Sequence, residues 1–501
     1  MSGIKKLAGQ TMWYGVSSIA ARFLGYLLAP LLTYSTHVKP ADFGRQSLLY
    51  SAIPVLSVLF TYGFETAYFR FSAREEYKKT IYSTAFLSLF FSTLLFSVLL
   101  WLNRGLLGSI TSFSDIPEIA NLAICIVAID TLSVIPFARL RQEERPLKYA
   151  FVRVIGILTN LILVWFFVNY CPAQIKKDPS SWVGSFFNIN QNPIVYVAAA
   201  NVVQSVLTLL LLSKEISLVR FQFDTKLWKE MMIYSLPLLI VGFGGIINET
   251  FDRLMLKAWL PGTVEYRNEQ VGIYNACYKL SLLITLFVQA FRMGAEPFFF
   301  KQAEGQNPQK VYARVMKFFV IVVTTMFLAV SLFLPVWSRM IGPRYRVGLS
   351  IVPILLLANI FLGIYYNLSI WFKLSNKTIA GTYITLIGTV ITIGINFFFI
   401  PMIGFMAGAW ATFFCYGTMM VISYKWGQKV YPIPYVTKKM VAYIVIVVLL
   451  FFIHKGITYF LPNVYFSLSL GCILLSTYTW FILLVEKKEF QKLPVIGKYI
   501  R

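Results

Sequence analysis

The sequence predicts an all-α polytopic membrane protein, with fourteen transmembrane helices in two pseudo-symmetric six-helix lobes plus two C-terminal helices, and both termini cytoplasmic. Three observations predict it. Of 501 residues, 58% are hydrophobic and 13% charged, against about 45–50% and about 25% in soluble domains. Apolar stretches long enough to cross a bilayer recur along the whole chain. The chain also matches itself at a near-constant offset. This composition excludes a disordered chain and a soluble nucleic-acid-binding domain. The net charge of +24 is therefore read against membrane topology and not as a footprint for nucleic acid.

A membrane helix needs about 20 mostly apolar residues. Fourteen stretches qualify: 11–36, 46–70, 80–102, 117–138, 148–170, 193–213, 230–258, 270–296, 318–338, 350–372, 380–400, 405–424, 440–461 and 465–485. The first follows Lys5 and Lys6 with no small-residue cleavage site behind a brief apolar core, so it is expected to remain as a helix. Spans 1, 2, 4 and 10 carry Pro30, Pro54, Pro136 and Pro353, which serve packing or a break equally well. Span 7 carries Pro237 followed by Gly242, Gly244 and Gly245, and here a hinge beside Glu249, Asp252 and Arg253 is expected.

With the N-terminus cytoplasmic, 29 of the 45 Lys and Arg fall in cytoplasmic segments or the span ends that face them, 11 in outer segments or the span ends that face them, and 5 (Arg22, Arg153, Arg253, Lys279 and Arg292) deeper within spans. That asymmetry is the positive-inside signal. It accounts for the basic excess without a polyanionic partner. The longest outer loop, 171–192, offers one carboxylate, Asp178, and no histidine. Acid–base chemistry needs more than that, so no enzymatic activity is expected. Five cysteines (Cys125, Cys171, Cys277, Cys415, Cys472) form no CxxC, and His37 and His454 lie far apart, so neither a disulfide framework, a metal site nor a cofactor is expected.

Self-comparison places Arg22–Pro30 over Arg253–Pro261, Phe43-Gly44-Arg45 over Val271-Gly272-Ile273, and Gly63-Phe64-Glu65 over Gly294-Ala295-Glu296. Arg141, Arg145 and Gly156 fall over Lys373, Lys377 and Gly388, and all offsets lie between 228 and 232. The matches keep their order, as a duplication requires. Six spans separate equivalent positions, so both copies have one orientation and are related by an axis along the membrane normal. The expected organisation is an N-lobe over 1–213, a cytoplasmic linker over 214–229, a C-lobe over 230–427, and an extension over 428–501.

Ionisable residues inside a membrane are costly and usually face a cavity or a partner. Arg22 and Arg253 are repeat mates, as are Glu65 and Glu296, and an axis between the lobes would bring both sets to the centre. The plainer alternative is local pairing, with Glu249 and Arg253 at i,i+4 spacing in span 7. It applies equally to Asp252 and Asp130. Arg292 suits either snorkelling or ligand contact, and Arg153 suits snorkelling.

Several motifs carry a family resemblance. They are Ala41-Asp42-Phe43-Gly44 after span 1, Asn248-Glu249-Thr250-Phe251-Asp252-Arg253 in span 7, Val271-Gly272-Ile273-Tyr274 and Tyr278-Lys279-Leu280 in span 8, and the basic turn from Arg139 to Pro146. With the duplicated architecture, they resemble the multidrug/oligosaccharidyl-lipid/polysaccharide (MOP) exporter superfamily over about residues 1–430. Within it, the chain looks most like the bacterial polysaccharide-biosynthesis (O-antigen type) lipid-linked oligosaccharide flippases, while its helix count is closer to the peptidoglycan lipid II flippases.

The resemblance implies alternating access by two rocking lobes around a cavity lined by spans 1, 2, 7 and 8. It implies an undecaprenyl-diphosphate-linked glycan as cargo, moved from the cytoplasmic to the periplasmic leaflet of a bacterial inner membrane. Membrane lipids, a coupling cation (H+ or Na+) and glycan-assembly enzymes are the implied partners. On this reading Arg22, Arg253, Lys279 and Arg292 bind the diphosphate, because guanidinium and ammonium groups bond strongly to phosphate oxygens. Glu65, Glu296, Glu249, Asp252 and Asp130 serve coupling or gating. A cation-coupled multidrug exporter of the same superfamily and a membrane-embedded glycan polymerase or ligase are the competing readings.

Overall fold

The computed structural model describes residues 23–72, 74–303, 307–375, 377 and 379–491. Every regular element among them is helical. Twelve helices are long and apolar enough to cross a membrane, or thirteen when the two halves of one bent helix count as a single span. The first expected span is described only from Phe23, as a short apolar helix over Phe23–Thr33.

The first-half helices are α1 (Pro40–Thr61), α2 (Phe64–Ser72), α3 (Ile81–Leu102), α4 (Pro117–Gln142), α5 (Pro146–Trp165) and α6 (Pro193–Leu211). The expected second span is thus two helices. Tyr62 (φ 33°) and Gly63 (φ 76°) adopt left-handed backbone between α1 and α2, which no continuous helix tolerates. Proline opens α1, α4, α5 and α6, where its missing N–H costs nothing.

The second half continues with α7 (Thr225–Trp259), α8 (Val264–Gln302), α9 (Pro308–Ser331), α10 (Val352–Leu368), α11 (Ile379–Ile403) and α12 (Met406–Val430). A C-terminal hairpin, α13 (Thr437–Phe460) and α14 (Val464–Val485), follows. Asp224 caps α7 by accepting from Leu227 N at 3.0 Å, and Asn463 caps α14 by accepting from Tyr465 N at 2.9 Å.

α7 bends by 44° between Pro237 and Gly242. Before the bend it packs on the first half: Trp228 Nε1 donates to Ser88 Oγ at 2.9 Å, and Glu230 accepts from Arg74 at 3.0 Å and from the Tyr77 hydroxyl at 2.9 Å. Beyond the bend it packs on α11, where Asn248 Nδ2 donates to Thr385 O at 3.3 Å and Thr389 Oγ1 to Gly244 O at 3.3 Å. Inside α7 the chain therefore adds α11 as a packing partner, while Lys257 near its end still donates to Ile110 O of the first half at 2.9 Å. Proline supplies the break by removing a backbone donor.

The two halves meet where α1 crosses α8. Gly44 and its repeat mate Gly272 face each other there: a Cβ on Gly44 would stand 1.7 Å from Asn268 O, and one on Gly272 would stand 2.3 Å from Pro40 O. Backbone touches backbone, and only glycine permits it.

At the opposite, Lys/Arg-rich end, each half is tied by one buried carboxylate. Glu215 accepts from Lys148 Nζ at 2.6 Å and Arg145 Nη1 at 3.1 Å. Glu486 accepts from Lys317 Nζ at 2.6 Å, the Tyr443 hydroxyl at 2.7 Å and Lys439 Nζ at 2.9 Å, which fastens the hairpin to α9.

Candidate functional site

The expected site residues on α7 and α8 come together beyond the α7 bend. Arg253 is 5% exposed. Its Nη1 donates to the Glu249 carbonyl at 2.8 Å and to Asp252 Oδ1 at 3.1 Å, and its Nε donates to Asn275 Oδ1 at 3.2 Å. The guanidinium lies 4.3 Å from the Tyr278 ring centroid. The Tyr274 hydroxyl donates to the other Asp252 oxygen. Tyr274 and Tyr278 stand one helical turn apart, so both rings reach the same charge.

Local pairing is thus real, but its partner is Asp252. Glu249 offers its backbone carbonyl to Arg253 rather than its carboxylate. The physical reason is that the i,i+4 rule places two side chains on one helix face, whereas the tyrosines of α8 draw the guanidinium sideways toward Asp252. A buried pair of this kind is costly to split, because the abandoned charge stays desolvated.

The Glu249 side chain instead lines a cavity of about 180 Å³ between α7, α8, α10, α11 and α12, together with Tyr278, Thr285, Gln289, Asn359 and Tyr416. Thr285 Oγ1 and Gln289 Oε1 are buried in its wall without a hydrogen-bond partner among the described residues. One carboxylate and two orphaned oxygens fit a proton or a hard monovalent cation. Among the described residues, no group of three His, Cys, Asp or Glu side chains could hold a metal ion.

Lys279 points from α8 toward the first half, its Nζ 5.9 Å from the Phe43 ring centroid and within electrostatic reach of Arg253. No described residue pairs with it in an ion pair or a hydrogen bond. Among the described residues its half-buried ammonium is left without a compensating charge. Arg292 lies further along α8 toward the basic end, exposed, with its guanidinium 4.7 Å over Tyr366 and Lys373 in the wall of the same small pocket.

The remaining expected residues lie elsewhere. Glu65 forms an ion pair with Arg141, within the first half. Asp130 sits on α4 within electrostatic reach of Arg153 and Tyr50. Arg22 lies outside the described residues, and so does the side chain of Glu296, which occupies a position on α8. Charge within apolar runs does not point to the α8 tyrosines that cradle Arg253 or to the Thr285–Gln289 wall, which are neutral. Their signal was polar residues recurring at helical spacing in span 8, from Tyr274 through Gln289.

The fold is similar to those of several solved membrane transporters. A solved structure of the lipid II flippase MurJ in an inward closed conformation matches with a TM-score of 0.66 at 12% identity, covering 94% of this chain and 98% of that one. An inward-facing multidrug resistance MATE family transporter of the MOP superfamily matches at 0.62 and 14% identity, covering 87% and 95%. A point mutant of the Vibrio cholerae MATE transporter VcmN matches at 0.51 and 13% identity, covering 86% and 98%. No curated protein sequence matches significantly. The chain belongs to the polysaccharide biosynthesis protein family, whose family model matches residues 7–303. It is a multi-pass membrane protein of that family.

Proposed function

We propose that the protein is a flippase that carries an undecaprenyl-diphosphate-linked oligosaccharide from the cytoplasmic to the periplasmic leaflet of a bacterial inner membrane by alternating access. On this reading the basic end is the cytoplasmic one, which the distribution of Lys and Arg supports. The observation that carries the reading is the uncompensated Lys279 ammonium beside Arg253 on the face of α8 turned toward the first half. A diphosphate is the anionic part of such a cargo, and a lone desolvated ammonium is a strong partner for it.

Lys279 and Arg292 hold the diphosphate, with Arg22 as the first-half contribution. Arg253 joins only by leaving Asp252, since its charge is already matched. That exchange frees the Asp252 carboxylate, which then takes up a proton or cation, as does Glu249 in the adjoining cavity. Glu65, Glu296 and Asp130 complete the coupling and gating set. The duplicated halves, residues 1–213 and 230–427, move as lobes about the α7 bend.

Leaflet accessibility of a labelled lipid-linked sugar in proteoliposomes tests the reading. Lys279→Gln should abolish flipping while Lys279→Arg retains it. Flipping at the wild-type rate in Lys279→Gln, at equal protein level, would remove the anion site. A multidrug exporter is the second reading, favoured by the tyrosine faces around Glu249, which suit an organic cation. Its signature would be efflux of cationic dyes that depends on Glu249 and not on Lys279.

A further inference from the structure

Between α6 and α7 the chain runs along the basic end of the first half, and it is bolted there. The Tyr82 hydroxyl donates to Glu215 O at 2.7 Å, Arg220 N donates to Ser83 Oγ at 2.9 Å, and Asp224 N donates to Thr84 Oγ1 at 3.1 Å. Tyr82, Ser83 and Thr84 form the first turn of α3. That helix has 22 residues, a length of about 33 Å by helix rise, close to the roughly 30 Å hydrocarbon thickness. The segment 213–224 is therefore held at the level where α3 enters the membrane, the boundary between acyl chains and headgroups.

Its composition at that level is unusual. Phe221 is 91% exposed and Leu218 52%. The acids of the region are all engaged by the protein: Glu215 by Lys148 and Arg145, Asp224 as the cap of α7, and Glu230 by Arg74 and Tyr77. The bases are not. Lys214, Arg220 and Lys229 are exposed and, among the described residues, make no ion pair, while Lys226 reaches only the exposed Glu76 at 3.5 Å. An exposed phenylalanine on a segment whose exposed bases, among the described residues, carry no ion pair, held where α3 enters the membrane, matches a surface that is apolar below and anionic above.

We infer that the 213–229 segment is an interfacial anchor that binds anionic phospholipid, with Phe221 and Leu218 inserted among the acyl chains and Lys214, Arg220 and Lys229 on the headgroup phosphates. The anchor holds the entry to α7 in the membrane plane, so the bend at Pro237 works against a fixed point. This inference is independent of the cargo.

The test uses the full chain with its exposed thiols removed (Cys125→Ser, Cys472→Ser) and a spin label at Phe221→Cys, reconstituted in phosphatidylcholine vesicles with and without phosphatidylglycerol. The label is expected below the headgroups, among the upper acyl-chain carbons, by accessibility to oxygen against a water-soluble relaxant, and deeper when phosphatidylglycerol is present. Native mass spectrometry should show retained phosphatidylglycerol falling about fivefold for each basic residue removed in the series Lys214→Gln, Arg220→Gln, Lys229→Gln, with the melting temperature unchanged. A label in water in both lipids would overturn the inference, as would retention unaffected by the triple substitution. Protection of the label that appears only as protein density rises would assign the patch to a second copy of the chain and overturn it equally.

Discussion

Gly44→Ala is the sharpest perturbation that the contact between α1 and α8 invites. The new Cβ would sit 1.7 Å from Asn268 O, 2.7 Å from Asn268 C and 3.0 Å from Gly272 N. All three are backbone atoms of a helix, and the Asn268 residue is fully buried, so no rotamer change relieves the clash. An ordinary contact begins near 3.4 Å, so the two helices must part by about 1.7 Å. Overpacking of this sort costs about 1–3 kcal/mol. If another arrangement lets the halves separate at this end, the cost falls on the closed arrangement alone, and the equilibrium shifts about 5–150-fold toward the open one. Spin labels at the exposed Ser114 and Thr263, on opposite halves at this end, read that shift as a longer distance distribution by pulsed electron resonance. Gly272→Ala, whose Cβ would stand 2.3 Å from Pro40 O, should do the same. An unchanged distance distribution together with an unchanged melting temperature would refute the reasoning, since the backbones could not then be in contact.

Three further outcomes are expected. Asp252→Asn strands the buried Arg253 guanidinium and should cost about 3–5 kcal/mol of stability, part of which Asp252→Asn combined with Arg253→Gln restores; a melting curve of each variant checks this. Glu486→Gln should loosen the C-terminal hairpin, which limited proteolysis between α12 and α13 would detect. Glu486 also has a pH signature. Burial alone would raise its carboxyl, but the hydrogen bonds from Lys317, Tyr443 and Lys439 outweigh burial and hold it below its ordinary value. The stabilisation is therefore complete above the unfolded-state value of about 4.3 and is lost as pH falls through the lower folded-state value. The wild type should lose more melting temperature than Glu486→Gln between neutral and acid pH; equal losses would show that the cluster contributes nothing.

Much of the architecture is legible in the chain because a bilayer leaves few choices. Apolar runs of membrane-crossing length mark helices, since unpaired backbone groups cannot face lipid, and the excess of Lys and Arg at alternate loops orders their ends. The chain also leads one to expect a duplication, and the structure brings one of the expected matched pairs, Gly44 and Gly272, into backbone contact. The candidate site was half legible. Charged residues within apolar runs stand out, so Glu249, Asp252, Arg253 and Lys279 could be singled out from composition alone.

Their partners could not. Which acid takes Arg253 depends on two tyrosines of the neighbouring helix, and helical spacing within α7 carries no information about them. Glu65 stands over Glu296 in the repeat, yet its side chain goes to Arg141 on α4, because ion pairs are chosen by distances of a few ångströms between helices and not by position along them. The addition of α11 as a packing partner inside α7 is likewise a tertiary matter. The sequence determined roughly where the membrane helices run and which of them carry charge, since those properties are local. Packing alone decided which charges cancel, which is left unpaired among the described residues at Lys279 and where backbone meets backbone, since those depend on how separate helices lie against one another.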